Sequence, residues 1–327
     1  MTGYIDMHCD TLAEGVKQHK ETITELENTM IDVVRLKKSG VAAQFFAMFL
    51  PQRNMPKWYG LKEMPEGEIL LEKMYQVFQN TLRENEKSVS FAGTYVDLQN
   101  NLQNEKISVF LTIENGYLVD GKMENLEKFY RMGVRLITLT WNDPNCFGYN
   151  HSNDRTQMQK GLTDFGKEAI SYMNELGIII DVSHLSDGGF YDVAELSKQP
   201  FVASHSNCRE LSPNTRNLTD DMIRILAEKG GVAGINFEPT FLNQDLTDKK
   251  SRVIRMCDHV EHFIKVGGVE CVGIGTDFDG ISGTFEISDC TKMDLFFHEL
   301  QKRRISEDTI EKIAFKNVAR VIKESMK

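Results

Sequence analysis

The stretch Gly177–Ser206, GIIIDVSHLSDGGFYDVAELSKQPFVASHS, carries the pattern that decides the fold. It holds two short apolar runs, Ile178-Ile179-Ile180-Asp181-Val182-Ser183 and Phe201-Val202-Ala203-Ser204, each followed by a histidine, His184 and His205. Short apolar runs rich in β-branched residues read as buried strands. The segment between them is long enough for a crossover helix, which makes the strands parallel and brings their ends to one edge of the sheet. Two strand-terminal histidines on successive parallel strands are neighbours there.

The same unit recurs outward in both directions. Apolar runs begin at Tyr4 (YIDMHCD), Val41 (VAAQFFAMFL), Ile107 (ISVFLTIENG), Val134 (VRLITLTWN), Gly231 (GVAGINF) and Glu270 (ECVGIGTDFDG), and helical patterns such as LLEKMYQVFQNTLREN and DFGKEAISYMNEL separate most of them. Eight strands each followed by a helix-length crossover, in a chain of 327 residues, predict a closed (β/α)₈ TIM barrel of α/β class, one domain over 1–327. Most of the runs end in HCD, ENG, WND, SH, SHS or DFD. Polar groups closing otherwise apolar strands are what this architecture requires, because its active site lies at the C-terminal ends of the strands. The irregular stretch from Pro51, PQRNMPKWYGLKEMPEGE, reads as a long loop over the mouth.

Composition excludes several other roles. A formal charge of −10 without a dense Lys/Arg block argues against nucleic acid. No run approaches the ~18 apolar residues that a membrane span needs. The N-terminal MTGYIDMHCDTLAEG lacks the basic and apolar regions of a signal peptide. The six cysteines are scattered with no CxxC pair, which reads as free thiols in a reducing compartment, the cytoplasm by default.

His8 and Asp10 stand at i and i+2, so an extended backbone points both the same way. Alone the pair is a weak signal, since a lone buried histidine is commonly a hydrogen-bonded core residue. Glu114 closes the third run after Phe110-Leu111-Thr112-Ile113, where a carboxylate is costly unless bound to a cation, paired with Arg135 or used as a helix cap. Asp277 and Asp279 end the eighth run on one side, among Gly273, Gly275 and Gly280, without the spacing of a nucleotide-binding loop. His19, His151, His259, His262 and His298 stand in loop or helical contexts and read as surface or packing residues. The conjunction is stronger than its parts: His, Asp, Glu, His, His and Asp occur in order at the strand ends. Imidazole and carboxylate without thiolate suit catalytic zinc or a related divalent ion, and five ligands suit two ions sharing one carboxylate.

At this level the chain resembles the membrane (renal) dipeptidases and their soluble bacterial relatives. The matching stretches are IDMHCDT, TIENG, GVRLITLTWN, IIDVSHLSD, VASHSNCRELSPNTRNLTDDMI and VGIGTDFDG, in the family's order across nearly the whole sequence. The resemblance implies a (β/α)₈ barrel with two Zn2+ per chain, cleaving dipeptides L-Xaa-L/D-Xaa through a metal-bridging hydroxide. It puts His8 and Asp10 on one zinc, His184 and His205 on the other, and Glu114 between them. Asp277 becomes the acid/base, and Arg216 holds the substrate's free carboxylate. Where many animal members carry a histidine that contacts the substrate carbonyl oxygen or the tetrahedral intermediate, this chain has Trp141 followed by Asn142. The resemblance implies these two as substrate-binding residues and, since an indole N–H donates one hydrogen bond but carries no charge, an oxyanion stabilised more by metal. The animal enzymes' secretion and lipid-anchor signals are missing, and because relatives are often dimers a homodimer is among the expectations. The competing expectations are an amidohydrolase of another small amide, such as an N-acyl amino acid, and a catalytically dead peptide-binding barrel.

Overall fold

The structure, a computed structural model, describes residues 3–52 and 66–327. Most of the loop expected from Pro51 lies outside these residues. Nine parallel strands form one sheet: β1 (Tyr4–Asp6), β2 (Val41–Phe49), β3 (Val89–Phe91), β4 (Ile107–Glu114), β5 (Val134–Thr138), β6 (Ile179–Asp181), β7 (Val202–Ala203), β8 (Val232–Ile235) and β10 (Val272–Ile274). A separate parallel pair joins β9 (Lys250–Ser251) to β11 (Thr284–Phe285).

Eight of the nine close the barrel, in the order β2-β1-β10-β8-β7-β6-β5-β4, and β4 pairs back onto β2 from Ser108 to Glu114. They coincide with the eight apolar runs of the sequence. The ninth, β3, was not foreseen. It pairs with Ile107–Val109 at the start of β4, whereas β5 takes up pairing from Leu111 onward. A three-residue, half-buried strand offers too little periodicity to stand out.

Side chains alternate between two cores. Ile5, Phe45, Phe110, Leu136, Ile179, Val202 and Val232 fill the barrel, with the Phe45 and Phe110 rings stacked 4.4 Å apart. The opposite faces of the strands pack outward against the helices. The helix Asp164–Leu176 is typical of that layer: Thr163 caps it by accepting from Gly166 N, and Gly177 ends it at φ 83°, a conformation that favours glycine. The last helix, Asn317–Ser325, follows a π-helical turn at Lys312–Lys316. It turns Val318, Ala319, Val321 and Ile322 into the barrel floor. Its polar residues tie off strand starts, Asn317 Nδ2 donating to the Val272 carbonyl and Ser325 Oγ to that of Pro200.

At the mouth the ladders end before the chemistry begins. His8, His184, His205 and Asp277 all lie two or three residues beyond their strands. His184 (φ 67°) and Asp277 (φ 60°) adopt left-handed backbone, which breaks the ladder and re-aims the side chain. Non-glycine residues in that region cost of order 1 kcal/mol or more and persist where surrounding contacts enforce them.

Candidate metal centre

Six side chains from five strand ends meet at the mouth: His8, Asp10, Glu114, His184, His205 and Asp277. All are buried. The arrangement turns on Glu114. Its Oε2 lies 3.7 Å from His8 Nε2, while its Oε1 lies 3.0 Å from His184 Nε2 and 3.6 Å from His205 Nε2. His8 Nε2 is also 3.6 Å from Asp10 Oδ2 and 3.7 Å from Asp277 Oδ1. Three overlapping groups result, His8/Asp10/Glu114, Glu114/His184/His205 and His8/His205/Asp277, each with ligand atoms within 4.8 Å of one another. Gly280 makes room for the carboxylates, since a Cβ there would fall 2.1 Å from Asp10 Oδ2.

The electrostatics call for a cation. Burial pushes Asp277 up to about 7 and raises Glu114 well above the usual carboxylate range, with Asp10 adding to both. Burial opposes protonation of His8, but Glu114, Asp10 and Asp277 outweigh it and lift His8 to about 10. Burial keeps His184 and His205 neutral, as metal ligands must be. Among the described residues, His8 Nε2, His205 Nε2 and Asp10 Oδ1 are buried without a hydrogen-bond partner. Orphaned polar atoms of this kind are costly, and divalent cations would satisfy all three. The residues present therefore fit a metal centre.

A second layer holds the first. Asp181, fully buried, accepts from Thr138 Oγ1 (2.6 Å), Ser204 Oγ (2.6 Å), Ser183 N (2.9 Å) and Ser204 N (2.8 Å). With its hydroxyl hydrogen committed to Asp181, Ser204 Oγ is left to accept from His205 Nδ1 at 2.7 Å, which turns the Nε2 lone pair toward the centre. Asn236 Nδ2 donates to Asp277 Oδ2 at 2.8 Å. Asp279, the other acidic candidate of the eighth run, faces away: it accepts from Thr11 Oγ1 and Met30 N, each at 2.6 Å. Arg135 does not reach Glu114 and instead donates to the carbonyls of Gly93, Tyr130 and Val134.

The centre opens into a cavity of about 330 Å³ lined by Trp141, Asn142, Arg216 and Asp277 among others. Arg216 is buried, its Nη1 donating to Ser206 Oγ (2.9 Å) and its Nη2 to the His205 carbonyl (3.2 Å), with Nε unpartnered among the described residues. Trp141 packs edge-on against Phe49, ring centroids 4.8 Å apart. Of the histidines read as surface or packing residues, His259 is a packing residue, whereas His151 departs from that reading. His259 is fully buried, accepting at Nδ1 from Cys208 N and bonded through Nε2 to the Leu242 carbonyl. His151 lines the cavity, 5.9 Å from the His184 ring, and burial, then Arg216 and Arg209, push it down to about 3. It sits in a loop after β5 with no strand pattern before it, so nothing in its local sequence marks it.

A parallel barrel that gathers three carboxylates and three imidazoles at the C-terminal ends of its strands defines a metal-assisted hydrolase. This chain belongs to the membrane dipeptidase family, peptidase family M19, whose family model matches residues 2–327. It is accordingly a metal-dependent dipeptidase, and the family implies a divalent metal. A protein of Schizosaccharomyces pombe (strain 972 / ATCC 24843) described as uncharacterized dipeptidase C965.12 is 32% identical over 301 residues, 90% of this chain and 72% of the yeast protein. The crystal structure of dipeptidase AC, a metallo peptidase of family M19, superposes with a TM-score of 0.90 at 26% identity, covering 99% of this chain and 98% of that one. A Rhodobacter sphaeroides metallo peptidase liganded with a phosphinate mimic of the dipeptide L-Ala-D-Ala superposes at 0.88 and 24% identity over 99% of both chains, which shows the shared fold. Despite the family's name, no helix among the described residues is long and apolar enough to cross a membrane.

Proposed function

We propose that this dipeptidase works with two divalent ions, zinc by the character of the donor set, within a single catalytic domain spanning residues 1–327. His8 and Asp10 hold one ion, His184 and His205 the other, and Glu114 bridges them. The observation that carries this reading is the division of Glu114, one oxygen facing His8 and the other facing His184 and His205. An all-imidazole-and-carboxylate set without thiolate suits catalytic rather than structural zinc. When bound, such an ion pair polarises the substrate carbonyl and activates water near neutral pH.

The chain's own residues do the rest. Asp277, held through Oδ2 by Asn236 with Oδ1 toward the centre, takes a proton from the attacking water and returns it to the departing amine. Arg216 presents a buried, preset guanidinium to the substrate's free carboxylate, favouring dipeptides L-Xaa-L/D-Xaa over longer chains or capped ones. The decisive experiment combines metal analysis with hydrolysis of an L,L and L,D dipeptide panel, before and after chelation. About two ions per chain and cleavage that chelation abolishes and metal restores are expected; one ion per chain would sink the bridged pair. Dipeptides blocked at the carboxyl end should be cleaved at least ~10-fold less well, on the scale of a lost charged hydrogen bond. Equal cleavage would remove Arg216 from its role.

A further inference from the structure

One imidazole at the cavity belongs to none of the three ligand groups. His151 joins the loops that follow β5, β6 and β7. Its backbone N donates to the His184 carbonyl at 2.8 Å, its Nδ1 lies 3.0 Å from Thr215 Oγ1, and its Nε2 lies 3.2 Å from Asn142 Oδ1. Thr215 is itself anchored, its carbonyl accepting from Arg209 Nη2 at 3.1 Å while Arg209 grips Asp187 with both Nη atoms. Asn142 Oδ1 also lies 3.4 Å from His184 Nδ1.

The proton positions along this chain of contacts follow from one constraint. His184 turns Nε2 toward Glu114, where the proposed metal binds, so its Nδ1 must carry the hydrogen. The Asn142 atom facing it must then be an acceptor, which fixes the amide orientation with Oδ1 toward the two rings. His151 Nε2, facing that same oxygen, must be a donor, and His151 Nδ1 therefore accepts from the Thr215 hydroxyl. Asn142 Oδ1 is thereby engaged by two imidazole N–H groups, and the free end of the amide is Nδ2. Asn142 lines the cavity beside Asp277, Glu114 and Arg216.

We infer that His151 is a positioning residue that clamps Asn142 so that its Nδ2 donates to the oxygen of the scissile carbonyl as that oxygen becomes anionic. This rests on the dipeptidase reading above and deepens it by supplying a protein donor for the developing charge. A preset amide donor of this kind strengthens in the transition state and contributes little to ground-state binding.

The test uses metal-loaded enzyme and compares native protein with Asn142→Ala, His151→Ala, His151→Gln and the double alanine variant. Each is checked for unchanged metal content and melting temperature. Asn142→Ala is expected to lower kcat roughly 10²-fold, the scale of a lost oxyanion donor, with KM within about threefold. His151→Ala should reproduce most of that loss, the double variant should be no worse than Asn142→Ala, and His151→Gln, which keeps an N–H donor, should recover much of it. A phosphinate dipeptide mimic, tetrahedral and anionic, should lose affinity in step with kcat. His151→Ala with kcat within twofold of native, or losses that multiply in the double variant, would overturn the inference. Nitrogen-15 spectra of the imidazoles give a readout independent of turnover: His151 protonated at Nε2 supports the clamp, and at Nδ1 refutes it. Should the native enzyme cleave no dipeptide, the functional reading fails, while the spectra still decide the clamp.

Discussion

At the floor of the barrel, Val318, Val321 and Ile322 of the last helix press into Ile5, Phe45, Phe110 and Val202, and the polar groups nearby are spent on capping strand starts. At the mouth the strands that build that floor lead into three carboxylates, three imidazoles, left-handed backbone at His184 and Asp277, and buried atoms with no hydrogen-bond partner among the described residues. One end minimises its own free energy; the other is arranged around something the chain does not contain. Two consequences separate them. Perturbing the floor should cost stability without touching the rate per folded molecule. Perturbing the mouth should cost rate or metal affinity while leaving the apolar core intact.

The largest effect is expected at Asp277. Asp277→Asn keeps the hydrogen-bonding shape and tolerates the left-handed conformation at φ 60°, so the fold has no reason to change. It removes the proposed proton carrier, and turnover should fall roughly 10²–10⁴-fold with metal content unchanged, measured by steady-state kinetics beside metal analysis. Unaltered turnover would take Asp277 out of the mechanism. Chelation comes next. Because the mouth leaves its carboxylates crowded, binding of metal to the folded chain alone should stabilise it by about 4 kcal/mol at a free ion concentration ~1,000 times the dissociation constant. A melting temperature indifferent to chelation would mean that the mouth is self-sufficient after all.

The floor supplies the counter-case. Ile322 is fully buried, and Ile322→Ala should cost about 2–5 kcal/mol in chemical denaturation, from lost transfer energy plus the cavity left behind. Turnover per folded molecule should stay within twofold. A larger loss of rate would show that the two ends are mechanically coupled and that the comparison is drawn too sharply.

The sequence is legible to different depths at the two ends for physical reasons. Barrel strands are buried on both faces, so β2 and β4 read as unbroken apolar runs, and the ligand-type residues stand out because polarity at the end of such a run is conspicuous. Strand ends were less legible: the apolar character of IIIDVSH continues past Asp181, where the ladder actually stops, because burial persists after pairing ends. Asp277 and Asp279 look equivalent at i and i+2, yet only Asp277 turns to the centre, since the extended geometry assumed for them gives way to positive φ at both. His151 and the Asp181–Ser204 relay were out of reach. Their roles depend on contacts between loops far apart in sequence, such as His151 with Thr215 across 64 positions, and no local pattern encodes such a contact.

Within the mouth itself the comparison can be sharpened, because its histidines are not held alike. His205 is oriented through Ser204 Oγ by the saturated carboxylate of Asp181, whereas His8 Nδ1 has no hydrogen-bond partner among the described residues and the ring stacks on His205 at 3.9 Å. Asp181 is a poor place to test this, because removing it would strand donors from Thr138, Ser183 and Ser204 at once. Ser204→Ala is cleaner: it deletes the relay hydroxyl, while the backbone N of residue 204 still bonds to Asp181. On the two-ion proposal it should weaken the ion assigned to His184 and His205 by roughly 10–100-fold, the usual scale for an outer-shell partner, as read by titration against a competing chelator. The ion assigned in the same proposal to His8 and Asp10 should change far less. Equal weakening of both ions would mean that Glu114 couples them more tightly than the separate anchoring of their imidazoles implies, and no weakening would mean that stacking alone suffices to aim a ring in this site.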